Sequence, residues 1–323
     1  CYRIWAFPHW HIFNYSPLAA TLLLAAAGGV FAFLRTERGG HVFVAGLLAG
    51  AGILCKQDYG LAVSAALGLV LLAHPVLRLP RPRPWGALLG PAAGFAASAL
   101  AVVAPALGYL VAAGAFPGFL QQTLLLPLSG AATSSFTRLP AIFPLLHQNP
   151  ALRAGIGNYL PSVLATLRWQ PIFHSWLWRE TPVWDLALKL VFYAPLLLIG
   201  TGILWWGGGA WRRRRGGVSA EDERRLALLA LAGGFLLAFN RPRDWVHLMM
   251  IYPPVMLVAA VMLERAAHAL PRGLARGAQA LLVLLVGPLA VTSIGLGVDL
   301  RRAYAVSSEN PRCGVYADPV TAR

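Results

Sequence analysis

Charged residues are scarce in this chain of 323 amino acids: only 12% are Asp, Glu, Lys or Arg, and just 12 residues are acidic. Soluble domains carry about twice that charged fraction. With 58% hydrophobic residues and a mean hydropathy of +0.62, the composition excludes an ordinary soluble domain. It indicates a protein that crosses a membrane several times.

Cysteine is nearly absent as well. Cys1, Cys55 and Cys313 lie far apart, so they form neither a disulfide framework nor a metal-ligand spacing. The alternating pair His9 and His11 suits a metal on an extended segment but lacks a third ligand. We therefore assign no metal site and no cofactor, and a divalent metal stays an open alternative.

The signatures of common soluble enzymes are missing too. The sequence holds no GxSxG nucleophile, HExxH zinc motif or phosphate-binding loop, and no GxGxxG pattern between a strand and a helix. Hydrolase, protease and nucleotide-motor functions therefore lack support. The net charge of +15 does not indicate nucleic acid, because the arginines cluster in short loops between apolar runs.

What the chain has in abundance is long apolar runs, which predict an all-α polytopic membrane protein with about eight transmembrane helices. Four runs lie in 18–115 and four in 184–298: Leu18–Leu34, Val42–Cys55, Gly60–Leu77, Trp85–Ala115, Trp184–Trp206, Leu226–Phe239, Leu248–Leu263 and Ala278–Val298.

The remaining segments are predicted to lie outside the membrane. The aromatic segment 1–17 is expected at the extracytoplasmic interface. Residues 116–183 hold no run long enough to span, so we predict an extracytoplasmic loop with short interfacial helices, for example near 159–169. The polar residues 299–323 are interpreted as the start of a truncated extracytoplasmic region.

The distribution of the arginines predicts on which side of the membrane each loop lies. The short loops on one side of eight crossings hold only Lys56, Arg241 and Arg243 as basic residues. Merging runs two and three, or six and seven, into single helices would put arginine-rich loops on both faces. The positive-inside rule makes the arginine-rich side cytoplasmic and puts both chain ends outside. The four loops of that side, with 14 arginines, are 35–41, 78–84, 207–225 and 264–277.

Two tight turns on the outer side carry the candidate site residues. Lys56 can pair with a phosphate as a compact point charge, or it can anchor a helix end as a snorkelling lysine. Asp58 is either a base or the ion-pair partner of Lys56, and we favour the partner. Because each turn joins two short apolar runs, we expect its charges to face a protein cavity and not lipid.

The second turn is the stretch Arg241–His247. Arg241 and Arg243 suit bidentate contacts to a phosphate or diphosphate. Asp244 and His247 share a face if a helix starts there, and Asp244 then orients an arginine or His247. The alternative is a network satisfied within the turn, with Asp244 paired to one arginine.

Three segments resemble a known family. VAGLLAGAGILCKQDYGLAV (44–63) resembles the glycine-spaced helix, followed by a lysine and a small or aromatic residue, of bacterial GT-C glycosyltransferases. These are polyprenyl-phosphate-sugar-dependent enzymes of the protein O-mannosyltransferase and aminoarabinose transferase group. FNRPRDWVHL (239–248) is similar to an Arg-x-Asp-x-x-His element in some members. PRCGVYADP (311–319) looks like the start of the soluble periplasmic domain that follows their last helices.

The resemblance implies an enzyme of the bacterial cytoplasmic membrane that moves a sugar from a polyprenyl-phosphate carrier to an acceptor hydroxyl on the extracytoplasmic face. It implies that the donor phosphate is bound by Lys56, Arg241 and Arg243, with Tyr59 and His247 in support. The expected partners are the lipid-linked sugar and membrane lipids, and no nucleic acid.

The chain departs from that family in one respect. The family's catalytic aspartate lies in the first outer loop, and no Asp or Glu precedes residue 18 here. We expect that residue upstream of residue 1, with Asp58 and Asp244 as the candidates within the chain. The alternative function is a transporter or flippase of lipid-linked or anionic solutes. It predicts helices broken in mid-membrane and internal symmetry, and the sequence shows no repeat.

Overall fold

A computed structural model describes residues 15–77, 85–125, 182–213, 217–238 and 245–269, with single short pieces at 271, 273–274, 276–277, 280, 306–307 and 316–317. Nearly all of these residues are helical. The α-helices are α1 Tyr15–Thr36, α2 Gly39–Cys55, α3 Gln57–Leu77, α4 Trp85–Ala112, α5 Phe116–Leu120, α6 Pro182–Gly202, α7 Gly208–Arg213, α8 Ala220–Ala238 and α9 Trp245–Ala269.

Two π-helical turns and one strand pairing complete the described secondary structure. The π-helical turns are Gln121–Leu125 and Ile203–Gly207, which follow α5 and α6 directly. The two-residue strands β1 (Val306–Ser307) and β2 (Tyr316–Ala317) pair antiparallel. The predicted all-α class therefore holds apart from this one short pairing.

Four of the helices contain segments that are long and apolar enough to cross a membrane: Ser16–Thr36, Gln57–Leu77, Leu89–Ala112 and Met250–Ala269. The helix α2 is equally apolar but has only 17 residues. The helical class is thus confirmed, with four candidate membrane spans among the described residues, and the count of eight crossings stays a prediction.

Seven of the eight apolar runs coincide with helices, and the run 278–298 lies almost wholly outside the described residues. The separation of runs two and three is confirmed by α2 and α3. The helices at the second turn are longer than the apolar runs that predicted them, since α8 has 19 residues and α9 has 25. Helix α8 is longer than its apolar run because its charged first turn, which starts at Ala220, is also helical. Helix also continues through Arg213, beyond the predicted loop start at 207.

Small residues bring α1, α2 and α4 close together. A Cβ added to Gly52 would meet the Leu23 side chain at 2.9 Å, and one added to Gly29 would meet Ala45 at 3.0 Å. These pairs make α1 and α2 antiparallel. On the opposite side of α2, a Cβ on Gly50 would come within 2.5 Å of the Ala99 carbonyl oxygen on α4. Close approach of helix backbones through small residues is the usual packing mode of membrane helices.

Helices α3 and α8 also run antiparallel, and contacts at their two ends fix the pairing. At one end the backbone N–H of Val218, just before α8, donates to the carbonyl oxygen of Leu77 at 3.0 Å. At the other end the rings of Tyr59 and Phe235 meet edge to face, with centroids 6.0 Å apart. The two helices therefore share both ends of the bundle.

These contacts define two ends that we name by their buried ionisable residues. The lysine end holds Ser16, Lys56, Tyr59 and Phe235, and the histidine end holds Phe33, Glu37, His74 and Glu223. Three of the arginine-rich loops begin or end at the histidine end, as their common side predicts. The fourth, 264–277, falls in a second compact unit, to which Glu264–Arg323, and with it β1 and β2, belongs.

Candidate functional site

Lys56 is the single residue between α2 and α3. Its backbone is extended, with φ −155° and ψ 107°, and its N–H donates to the Gly52 carbonyl oxygen at 3.0 Å. Its own carbonyl oxygen accepts from the N–H of Gly60 at 2.8 Å. One residue thus closes one helix and opens the next, which satisfies backbone groups that helix ends would otherwise leave unpaired.

Gly60 makes this tight turn sterically feasible. A Cβ on Gly60 would lie 2.6 Å from the backbone nitrogen of Ile53 and would also collide with the Ile53 Cα atom. Neither backbone atom can move away as a flexible side chain would. In the sequence KQDYG, the turn at Lys56 therefore brings the two helix backbones so close together that only glycine fits four residues later, at Gly60.

The Lys56 side chain points into the protein and not into lipid. It is only 7% exposed, and its Nζ donates to the Oγ of Ser16 on α1 at 3.1 Å. The same Nζ lies 4.6 Å from the centroid of the Tyr59 ring, whose face attracts a cation. A hydroxyl and an aromatic face therefore hold the ammonium group where three helices meet.

Such an arrangement suits an anion. A buried ammonium loses much of its hydration, and the Ser16 hydroxyl and the Tyr59 ring are two of the groups that stabilise it in this poorly hydrated place. An anion that approaches the Nζ would gain a charge-assisted contact in a poorly hydrated site. Phosphate esters and carboxylates are the anion classes with the required acceptor oxygens.

Asp58 does not have the role that we favoured. Its side chain is exposed and its Oδ1 accepts from the backbone N–H of Tyr59 at 2.9 Å. No ion pair joins Asp58 to Lys56, both of which are described. The physical reason is direction, because Asp58 lies in the first turn of α3 and faces outward, while Lys56 faces Ser16. A carboxylate in the first turn of a helix still interacts favourably with the helix dipole.

The second predicted turn lies mostly outside the described residues. Arg241, Arg243 and Asp244 belong to it, so their contacts stay predictions. His247 lies in the first turn of α9, as the predicted helix start requires, and the structure does not describe its side chain. Phe235, which contacts Tyr59, lies three residues before the end of α8 at Ala238. The last turn of α8 is therefore at the lysine end.

Sequence reasoning missed two groups. The first is Ser16, which carries no motif of its own and is recognisable only from its distance to Lys56. The second is a buried cluster at the histidine end, where the Nδ1 of His74 is hydrogen-bonded to Glu223 and the Nε2 lies 3.9 Å from Glu37. A histidine within an apolar run was the available signal, since ionisable residues in membrane spans are rarely incidental.

The carboxylates of α8 next to this cluster are also engaged. Glu221 and Asp222 both pair with Arg225, the latter at 3.2 Å, and the Asp222 backbone N–H donates to Ser219 Oγ at 3.1 Å. Ser219 is thus the N-cap residue of α8. Within the described ranges no three His, Cys, Asp or Glu side chains are grouped to hold a metal ion. The two carboxylates beside His74 lie at opposite ring nitrogens and cannot share one ion.

Comparison with known proteins adds no relative: no family model, no curated protein and no solved structure matches this chain.

Proposed function

We propose that the protein is a membrane glycosyltransferase that moves a sugar from a polyprenyl-phosphate carrier to an acceptor hydroxyl at the lysine end. The observation that carries the proposal is the buried ammonium of Lys56, held by Ser16 and Tyr59 at the junction of two apolar helices. Buried cations in membrane proteins usually serve ligands or ions. The likeness of residues 44–63 to GT-C enzymes supports the same function.

The reaction follows from the chemistry of the donor. The acceptor hydroxyl attacks the anomeric carbon, the bond from that carbon to the phosphate oxygen breaks, and the hydroxyl proton passes to a carboxylate base. Negative charge grows on the departing phosphate. Lys56 lowers the energy of that charge, and Arg241 and Arg243 are proposed to contact the same group.

The proposed topology has eight crossings, with the lysine end on the extracytoplasmic side of a bacterial cytoplasmic membrane. Three arginine-rich loops meet the opposite, histidine end, and the positive-inside rule assigns such loops to the cytoplasm. Cysteine labelling at Ser219 and Ser134 tests this orientation. We expect the two positions to react from opposite faces, and reaction of both from one face would refute the scheme.

The donor site is tested by binding of a polyprenyl-phosphate sugar to the detergent-solubilised full chain. Lys56→Ala is expected to weaken binding about 10- to 100-fold, the range for losing a charge-assisted hydrogen bond of about 1.5–3 kcal/mol. Lys56→Arg keeps the charge and is expected to lose less. Gln57→Ala, at the neighbouring position, is the control that should bind normally.

The same assay separates the two turns. Arg241 and Arg243 are each replaced by Lys and by Ala, and weaker binding of the Ala variants places the donor phosphate between both turns. Normal binding in all four variants would limit the donor site to Lys56. Normal binding in Lys56→Ala as well would remove the proposed donor site altogether.

A transporter or flippase of anionic solutes is the second candidate, and one observation favours it. Ionisable residues are buried at both ends of α3, Lys56 just before it and His74 near its end. A charged solute crossing along α3 would meet polar groups at entry and exit. Reconstituted liposomes distinguish the two functions: a transporter moves the intact lipid-linked sugar, whereas a transferase releases the lipid phosphate.

A further inference from the structure

The histidine end carries exposed arginines that the proposed transfer reaction does not use. Four of them lie on separate elements: Arg35 in the last turn of α1, Arg38 before α2, Arg212 in α7 and Arg224 near the start of α8. We call these four residues the basic rim. The sequence continues the charge run after Arg212 with three more arginines.

Tertiary contacts bring the rim together. Glu37, between Arg35 and Arg38, lies 3.9 Å from His74 near the end of α3. The last residue of α3, Leu77, accepts a hydrogen bond from Val218, six residues after Arg212 and six before Arg224. Six residues reach at most about 22 Å. Arg35, Arg38 and Arg224, which are up to 189 positions apart in sequence, therefore border one end of the bundle, and Arg212 lies within that reach of it.

The segment before Arg212 has the form of a membrane-interface anchor. Leu204, Trp205 and Trp211 are 79%, 40% and 68% exposed, whereas Trp206 and Ala210 on its other face are buried. Exposed Trp and Leu beside arginine are typical of the headgroup region, where an aromatic ring meets both hydrocarbon and water. The Nε of Arg212 donates to the Gly208 carbonyl oxygen at 3.3 Å, which ties the arginine to the same helix.

Acidic residues at this end are engaged with other groups. Glu221 pairs with Arg225, and Glu223 is hydrogen-bonded to His74. Two carboxylates, Glu37 and Glu221, are also exposed at this end, but the four arginines of the basic rim outnumber them, so the exposed surface is basic. A surface of exposed arginines next to exposed tryptophans complements acidic phospholipid headgroups, which attract basic residues at a membrane surface.

We propose that the basic rim, with Trp211, binds the headgroups of acidic phospholipids and so anchors the histidine end to an anionic membrane leaflet. The occupant is an acidic lipid and not a soluble anion, because the side chain of Leu204, which is 79% exposed, favours a hydrocarbon neighbour. The inference is independent of the sugar-transfer function and concerns the opposite end of the bundle.

The test uses the detergent-solubilised full chain and fluorescent phosphatidylglycerol. Unlabelled phosphatidylglycerol should displace the probe, while phosphatidylcholine and inorganic phosphate should not. The triple variant Arg35→Gln, Arg38→Gln and Arg212→Gln should weaken binding by up to about fivefold per arginine. The matched triple variant with Lys at the same positions keeps the charge and should bind nearly as the native chain does.

Three results would overturn the proposal. Equal displacement by phosphatidylcholine would mean that the surface does not select acidic lipids, and equal displacement by inorganic phosphate would mean that the ligand is not a lipid. Arg212→Gln alone is the safeguard if the triple variant does not fold, since Arg212 is exposed. Unchanged binding in this single variant, together with unchanged binding after Trp211→Ala, would equally refute the anchor.

Discussion

The two ends of the α3–α8 pair both bury ionisable residues, but the contacts that hold these residues differ. At the histidine end, His74 and Glu223 are both buried and are hydrogen-bonded to each other across two helices. At the lysine end, Lys56 meets the hydroxyl of Ser16 and the ring of Tyr59, neither of which carries a charge. The comparison teaches that a buried ionisable group can be held across helices either by a carboxylate, as His74 is, or by a hydroxyl and an aromatic face, as Lys56 is.

If the histidine end is structural, breaking it should have the largest effect on stability. Glu223→Ala leaves His74 buried without its carboxylate and is expected to cost about 3–5 kcal/mol in the free energy of unfolding. Denaturation in mixed micelles measures this. Glu221→Ala is the control on the same helix, because that side chain is 65% exposed and should contribute about 0–1 kcal/mol. Equal costs for both would show that burial of the pair is not what matters.

The geometry of the lysine end depends on Gly60, and its replacement should have the next largest effect. Gly60→Ala forces a methyl group against the Ile53 backbone and should destabilise by about 1–3 kcal/mol. It should also weaken donor binding, since the turn positions Lys56. Gly68→Ala is the control within α3, where nothing lies within 4 Å of the added Cβ, and it should stabilise by up to about 1 kcal/mol.

The hydroxyl that holds Lys56 offers a smaller perturbation. Ser16→Ala removes an acceptor from a buried ammonium and should cost about 1–2 kcal/mol of stability. Ser64→Ala is a matched control on α3, because its buried Oγ has no hydrogen-bond partner, and it should be neutral or slightly stabilising. A Ser16→Ala variant as stable as the native chain would mean that Lys56 is held by other groups.

Asp58 should show the smallest effect on stability. Asp58→Asn weakens an exposed contact in the first turn of α3, with an expected loss of about 0.3–1 kcal/mol. Its effect on sugar transfer is the sharper measurement. Nearly native transfer is expected, because the carboxylate faces away from Lys56. A loss of several hundredfold with native stability would instead make Asp58 the general base.

Much of the fold was predictable, because hydrophobic burial in a membrane leaves a direct pattern in the sequence. The runs at Val42–Cys55 and Gly60–Leu77 were recognised as two helices, and arginine placement predicted that three loops share one end. Helix bounds were less predictable. The charged residues at the start of α8 hid its first turn, which is helical because Ser219 caps it and Arg225 pairs with its carboxylates.

The candidate site was predictable only in part. Lys56 is a lysine between two apolar runs, and its position at a turn follows from the separation of those runs by the arginine distribution. Its direction did not follow, since one extended residue can turn its side chain either way. The expected pairing with Asp58 was wrong for that reason, while the Ser16 contact, 40 positions away, left no local trace.

The sequence by itself determined the helical membrane class, the separation of α2 from α3 and the side shared by the arginine-rich loops, because hydrophobicity and charge act locally along the chain. Only the tertiary structure decided that Lys56 points at Ser16 and that His74 meets Glu223, 149 positions away. Those contacts depend on which helix faces pack together, and small residues at Gly50, Gly52 and Gly60 set that packing through close backbone approach.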